Sequence, residues 1–388
     1  MSLASTAAPA PRAGAGAAAL AVALSALALV TLQAGAVRPR LAVAALIGAA
    51  AGFALYHAAF GFTAAWRRVV TERRGVGLRA QMVLLVATSL VTYPLIAFGP
   101  PLEGLRAGGF VFPFGVAAAV GAFVFGAGMQ LGGGCGSGTL FTVGGGSTRM
   151  VVTLAFFILG SLAATAHLPW WNALPRMAPF STVREFGVAG ALTLLVGFAG
   201  IVWWWTRRWE LRTHGALERA PPTVSLLRGP WSPWMGAAVL ALVGIATVLT
   251  LGRPWGITSA FALWGAKMAT AVGIDVASWP YWAGQTARIE RSVFADATSV
   301  MNFAIICGAM AAAALAGRFA PTWRIGWAPL ATAVAGGLMM GYGARLAYGC
   351  NIGAYLGGIV SGSLHGWLWA VFAFAGSTLT AVLRRDRF

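Results

Sequence analysis

Two of the three cysteines in this sequence, Cys135 and Cys350, sit in the same unusual surroundings. The first lies in Gly126-Ala-Gly-Met-Gln-Leu-Gly-Gly-Gly-Cys135-Gly-Ser-Gly-Thr-Leu140. The second lies in Gly341-Tyr-Gly-Ala-Arg-Leu-Ala-Tyr-Gly-Cys350-Asn-Ile-Gly353. With the cysteines superposed, Gly121/Gly336, Gly126/Gly341, Gly128/Gly343, Leu131/Leu346, Gly134/Gly349 and Gly138/Gly353 coincide, which marks an internal repeat. A thiol is a weak donor and a soft, polarisable contact, and it becomes a nucleophile or metal ligand only as the thiolate. Glycines beside it expose backbone N–H groups and let a ligand come close. Successive free N–H groups make an anion-binding nest, and the N-terminus of a following half-helix adds partial positive charge. The chemistry suited to such a site is capture of a small anion with a sulfur end, its oxygens on N–H groups and its sulfur against the thiol.

The residues expected to line that site are Cys135 with Gly134, Gly136, Ser137, Gly138 and Thr139, and Cys350 with Gly349, Asn351 and Gly353. Gln130 and Arg345 occupy equivalent positions five residues before the cysteines; Arg345 is a candidate for attracting an anion, although arginine at a span end commonly snorkels. A lone cysteine is usually a small packing residue, and Cys307, in the middle of a regular apolar run, reads that way. No Cys-x-x-Cys spacing supports a disulfide framework or a zinc site, so no metal is expected. No haem, flavin or iron–sulfur signature calls for a cofactor, and no Gly-Lys-Ser/Thr completes a phosphate loop.

These loops must be carried by elements of a membrane. Of 388 residues, 59% are hydrophobic and 9% charged, far below the roughly 25% charge of soluble domains. About ten apolar runs are long enough to cross a hydrocarbon core: 13–37, 41–60, 81–98, 110–129, 150–166, 186–206, 233–251, 297–316, 325–344 and 364–383. Glycine costs a helix ~1 kcal/mol relative to alanine, so the stretch from Gly126 to Gly138 is not expected to stay one regular span. Broken backbone at membrane depth survives only where it is buried in protein or lines a wet cavity. Phe60-Gly-Phe-Thr63 after the second run and Trp255-Gly-Ile-Thr258 after the seventh introduce segments too short to cross, which read as re-entrant half-helices.

The fold expected is therefore an all-α polytopic membrane protein with about ten transmembrane helices, re-entrant half-helices and Gly-Cys loops. The second half begins five spans after the first, and an odd number inverts it in the bilayer, giving two inverted pseudo-symmetric repeats. Such repeats, with broken helices near the midplane, are a transporter architecture. The expected division is an extra N-terminal helix in 1–40, repeat one in 41–206, a basic cytoplasmic linker in 207–232 and repeat two in 233–388. The apolar run after Met1–Arg12 is too long for a signal peptide and lacks a basic start, so it reads as a retained span.

The net charge of +18 follows topology, with no stripe suited to nucleic acid. Arginines cluster at 67–79, 207–228 and 384–387, which places both termini in the cytoplasm. Lys267 lies in the second short segment, where snorkelling accounts for it. His57 and His365 fall near span ends and read as interfacial; Trp170-Trp171, Trp203-Trp204-Trp205 and Trp367/Trp369 read as an interfacial belt. The acidic residues Glu72, Glu103, Glu210 and Glu218 read as loop residues, and no buried carboxylate relay is visible.

The two Gly-Cys loops, continued by Gly362-Ser-Leu-His-Gly-Trp367, resemble the YeeE/YedE family of sulfur-compound permeases over roughly Leu41 to Leu383. The resemblance implies a thiosulfate permease of the bacterial inner membrane with loops dipping inward from both faces. It implies that cysteine thiols hand the ion along by S–H to sulfur hydrogen bonds, and Cys135 and Cys350 match two of them. A third family cysteine belongs near Phe60-Gly61-Phe62, where this chain has none. Relatives handling other sulfur or selenium species leave the substrate class wider than thiosulfate. The bilayer and the anion are the expected partners, and a cytoplasmic sulfur-carrier protein is a further candidate. Besides a non-enzymatic permease, two readings remain open: a membrane thiol enzyme that oxidises or transfers sulfur at the cysteines, and a helical membrane component with no pathway of its own.

Overall fold

The computed structural model describes residues 13–99, 107–321 and 324–384; the expectations for Met1–Arg12, Glu103, Arg385 and Arg387 lie outside the described residues. The chain is helical: α1 (Ala13–Val37), α2 (Pro39–His57), α3 (Phe62–Thr71), α4 (Val76–Phe98), α5 (Val116–Gly132), α6 (Gly136–Gly144), α7 (Thr148–Asn172), α8 (Thr182–His214), α9 (Pro233–Leu251), α10 (Thr258–Ala271), α11 (Thr286–Glu290), α12 (Ala297–Leu315) and α13 (Trp327–Leu346). A π-helical turn, Asn351–Leu356, runs into the single turn α14 (Gly357–Ile359), and α15 (Leu364–Leu383) ends the described chain. One two-residue ribbon pairs β1 (Phe114–Gly115) with β2 (Arg176–Met177). Element ends follow local chemistry. Pro233 opens α9 behind Ser232, whose Oγ accepts from the Met235 N–H, and Gly252 closes it.

Among the described residues nine helices are long and apolar enough to cross a membrane. Two are composite: Pro39–Thr71 joins α2 to the short α3, and Val116–Gly144 joins α5 to the short α6. The expected tenth span, 325–344, does form a helix, α13, but its glycines and Arg345 keep it less apolar than the others. α8 also continues through the basic residues Arg207 to Arg212 as far as His214. The basic segment therefore starts as helix.

Helix α5 and its counterpart α13 pack together and run antiparallel. Gly121 lies against Leu346 and the Gly343 carbonyl, whereas Gly128 lies against the Gly336 carbonyl and Met339. The outer contacts repeat this two-fold pattern. Gly341 of α13 meets the Phe157 carbonyl of α7, and Gly126 of α5 meets the Ala373 carbonyl of α15. Gly160 of α7 meets the Leu338 carbonyl, and Gly376 of α15 meets the Phe123 carbonyl. A methyl group at any of these glycines would overlap backbone of the facing helix. Small residues let membrane helices approach this closely. The stretch 126–138 does not stay one regular span, but its break falls only after Gly132: α5 stays helical through Gly126 and Gly128, because these glycines serve contact and not unwinding. The same matching holds farther out, where α2 packs on α12 and α9 on α4.

Four side chains sit elsewhere than expected. Trp369 is fully buried between Phe125 and Tyr355, and so belongs to the core and not to the belt. His57 is buried against Phe53 and Trp231, and His365 against Phe112 and Tyr348, so both pack inside the protein and do not face its surroundings. Glu210 is a buried helical residue: Arg79 (2.9 Å) and Arg74 (3.3 Å) pair with its carboxylate, which also accepts from the Glu218 and Gly75 N–H groups.

Candidate functional site

The two cysteines occupy matching backbone positions. α5 ends at Gly133 in the left-handed region (φ 88°), and Cys135 then caps α6 with extended geometry (φ −84°, ψ −167°). α13 ends near Tyr348, also left-handed (φ 62°), and Cys350 caps the π-turn at φ −99°, ψ −168°. A tyrosine in that region costs roughly 1–2 kcal/mol. Tyr348 is held there by its ring, which stacks on Phe112 at 4.8 Å and 11°.

In each loop the first turn leaves N–H groups free of helix partners, as every helix start does. The Thr139 N–H returns to the Cys135 carbonyl at 2.8 Å, and the Ala354 N–H returns to the Cys350 carbonyl at 2.8 Å. The N–H groups of residues 136–138 and 351–353 precede those closures. Ser137 Oγ lies 3.4 Å from Cys135 Sγ, and Thr139 Oγ1 donates to the Cys135 carbonyl at 2.8 Å. Cys135 and Cys350 are both buried.

The loops meet. A Cβ built on Gly136, the residue after Cys135, would stand 2.9 Å from Cys350 Sγ and 3.5 Å from Ile257 Cγ2. A Cβ on Gly353 would stand 3.9 Å from Gly256 Cα. The Trp255-Gly-Ile-Thr258 loop therefore touches both cysteine loops. Its counterpart reaches across in the reciprocal way, with Phe62 edge-on to Tyr355 at 6.0 Å. In the Phe60-Gly61-Phe62 loop itself, the buried rings of Phe60 and Phe62 meet edge to face at 6.0 Å.

Several polar atoms around this junction are buried without a partner. Asn351, fully buried, has neither Nδ2 nor Oδ1 paired; the same holds for Trp255 Nε1 and Asn302 Oδ1. Asn302 Nδ2 donates to the Ile257 carbonyl at 3.0 Å. A buried polar group left unpaired costs about 1–3 kcal/mol, so each of these atoms is a candidate contact for a ligand or an ordered water.

A family model described as sulphur transport matches residues 57–379, both cysteine loops included. The chain belongs to the sulphur transport family. It is similar to the probable transporter YedE of Salmonella typhimurium, 31% identical over 150 residues, which is 37% of this chain and 36% of that protein. The chain thus spans little more than a third of that relative's length. It is also similar to the thiosulfate transporter TsuA of Spirochaeta thermophila, 29% identical over 281 residues, covering 69% of this chain and 77% of the relative. For the thiosulfate transporter TsuA of Escherichia coli the identity is 22% over 346 residues, covering 85% and 91%.

Within this sulphur transport chain, not every expected site residue reaches the thiol junction. Gly134 and Gly349 shape the turns: a Cβ on Gly134 would stand 3.2 Å from the Gly138 carbonyl carbon, and one on Gly349 2.8 Å from the Ala354 nitrogen. Gln130 is buried and donates to the Thr63 carbonyl (3.1 Å) and Ser377 Oγ (2.7 Å), tying α5 to α3 and α15. Arg345 turns away to the Tyr281 hydroxyl at 3.0 Å. Lys267 donates to the carbonyls of Ile289 and Arg291. Cys307 is buried in the unbroken α12, whose neighbour Gly308 lies against the Ala49 carbonyl. Sequence reasoning read the loop of Trp255 as the start of a re-entrant half-helix but not as part of the site, and it missed Asn302, whose contribution depends on a tertiary bond across 45 residues.

Proposed function

We propose that this protein is a permease taking up thiosulfate, or a similar small sulfur-containing anion, across a bacterial inner membrane. The observation that carries this reading is the contact between Gly136 and Cys350 Sγ, which brings two matching thiol-bearing breaks together inside the helical bundle. Backbone N–H groups of 136–138 and 351–353 supply donors for anion oxygens, and the thiols of Cys135 and Cys350 contact the sulfur end. The anion then moves by exchanging S–H to sulfur contacts between two thiols in place of three. Residues 41–206 and 233–388 act as the inverted halves, 1–40 adds a helix, and 207–232 is a cytoplasmic linker with both termini on its side. The names of the TsuA relatives support thiosulfate as the substrate. The carrier that collects the anion inside is a cytoplasmic sulfur-carrier protein.

The test uses purified protein in sealed liposomes with labelled thiosulfate outside. Unaltered thiosulfate should accumulate with the wild type and with Cys307→Ala, and should not with Cys135→Ala or Cys350→Ala at equal protein per vesicle. Chemically altered product, or wild-type uptake by both loop variants, would overturn the reading.

A further inference from the structure

The two halves match in backbone but not in the side chains they bring to the junction. The residue after each cysteine is Gly136 in the first half and Asn351 in the second. The aromatic that opens each short loop is Phe60 in the first half and Trp255 in the second. Both second-half residues replace a group with no hydrogen-bonding capacity by one that carries an N–H donor. Both are buried, and both donors, Asn351 Nδ2 and Trp255 Nε1, are unpaired.

Their places in the chain put these two residues beside the thiol contact. Asn351 is bonded to Cys350, whose Sγ lies against Gly136. Trp255 is bonded to Gly256, which lies against Gly353, and the next residue, Ile257, lies against Gly136. Asn302 holds that loop by donating to the Ile257 carbonyl, which makes it a positioning residue.

Resting on the permease reading, we propose that Asn351 and Trp255 are substrate-binding residues that orient the anion by donating hydrogen bonds to its oxygen end. The site is then one-sided: oxygens gather toward the second half, where the donors are, and the sulfur end faces Cys135 and the glycines of the first half. An asymmetric sulfur oxyanion matches such a site in one orientation. A symmetric oxyanion such as sulfate keeps the oxygen contacts and has no sulfur end for the thiol. Discrimination between the two anions then rests on the thiol, while the donors set affinity and orientation.

The experiment measures thiosulfate binding to purified protein by calorimetry and uptake in liposomes, with sulfate as the comparison anion. Trp255→Phe keeps the ring and removes only the N–H; Asn351→Ala and Asn351→Ser remove the amide. Losing a hydrogen bond to a charged group weakens binding roughly ten- to hundredfold, so each variant should show that loss with a thermal midpoint near wild type. Binding of sulfate, which keeps the oxygen contacts, should weaken by a similar factor. Wild-type affinity in folded Trp255→Phe and Asn351→Ala would overturn the proposal and leave those donors to ordered water. A fall in thermal stability with unchanged affinity would overturn it as well, by showing a packing role. If the wild type binds thiosulfate but does not carry it, the permease reading fails while the affinities still decide this one; if it neither binds nor carries it, both fail.

Discussion

Replacing Gly136 by alanine tests the thiol junction at its tightest point. The added Cβ would stand 2.9 Å from Cys350 Sγ and 3.3 Å from Cys350 Cβ. Comfortable contacts between such atoms lie at roughly 3.5–4.0 Å, so the sulfur must retreat by about 0.6–1 Å. It has little room, because Cys350 is fully buried and its carbonyl is fixed by the Ala354 N–H at 2.8 Å. Overpacking of this kind costs about 1–3 kcal/mol, and the gain of alanine over glycine in a helix offsets up to about 1 kcal/mol. The net loss of about 0–3 kcal/mol leaves a protein of ordinary stability folded. The displaced thiol should lower thiosulfate uptake at least about tenfold, since sub-ångström placement governs how well a positioned group acts. Gly61→Ala is the control: its Cβ would meet Ala64 Cβ of its own turn at 3.8 Å, an ordinary contact, so no group at the junction has to move. Uptake in liposomes and thermal unfolding are read together for both variants. Wild-type uptake by Gly136→Ala would show that Cys350 does not act at this contact.

Two further substitutions probe what surrounds the junction. Glu210→Ala leaves Arg79 buried without its carboxylate and frees two N–H groups, so it should destabilise by about 3–5 kcal/mol, measured as a lower thermal midpoint in detergent. At Tyr348, glycine relieves the left-handed backbone while alanine keeps it, and both lose the stack on Phe112; Tyr348→Gly should therefore be more stable than Tyr348→Ala by about 1 kcal/mol, and the reverse order in thermal unfolding would refute the strain.

Much of the fold was legible because membrane spans announce themselves by length and apolarity, and because the cysteine loops repeat a pattern that helices disfavour. The breaks at Gly133–Cys135 and Tyr348–Cys350 could be read from the sequence itself. The glycines just before them could not: Gly126 serves the Ala373 carbonyl of a helix far along the chain, and nothing local separates a contact glycine from an unwinding one. The misplacement of Trp369, His57 and His365 has the same origin, since proximity to a span end says nothing about which face packs inward. Glu210 looked like a loop carboxylate because its partners, Arg74, Arg79 and Gly75, lie more than a hundred residues earlier. The stretch after α10 carried no readable period; it folds around Trp282, which donates to Thr165 Oγ1 at 3.1 Å from α7.

The central antiparallel pair explains why the thiol loops must turn inward. Gly121 marks the level of Leu346, the last residue of α13, and Gly132 is the last residue of α5. Eleven residues of α-helix separate those levels, about 16 Å along the axis. From Gly132 to Gly136, and from Leu346 to Cys350, the chain has four steps each, at most about 14 Å when fully extended. Gly136 nevertheless touches Cys350. A loop on one side alone would need nearly full extension along the axis and would have none left for stepping off the helix surface, yet both loops are curled by left-handed residues at Gly133 and Tyr348. Each loop therefore runs back toward the middle of the pair, and the junction falls between the two helix ends, deep within the thickness the helices span. The glycine contacts that bring α5 against α13 and the glycine turns that end them are parts of one geometric solution: without the first the loops start too far apart, and without the second they point away from each other.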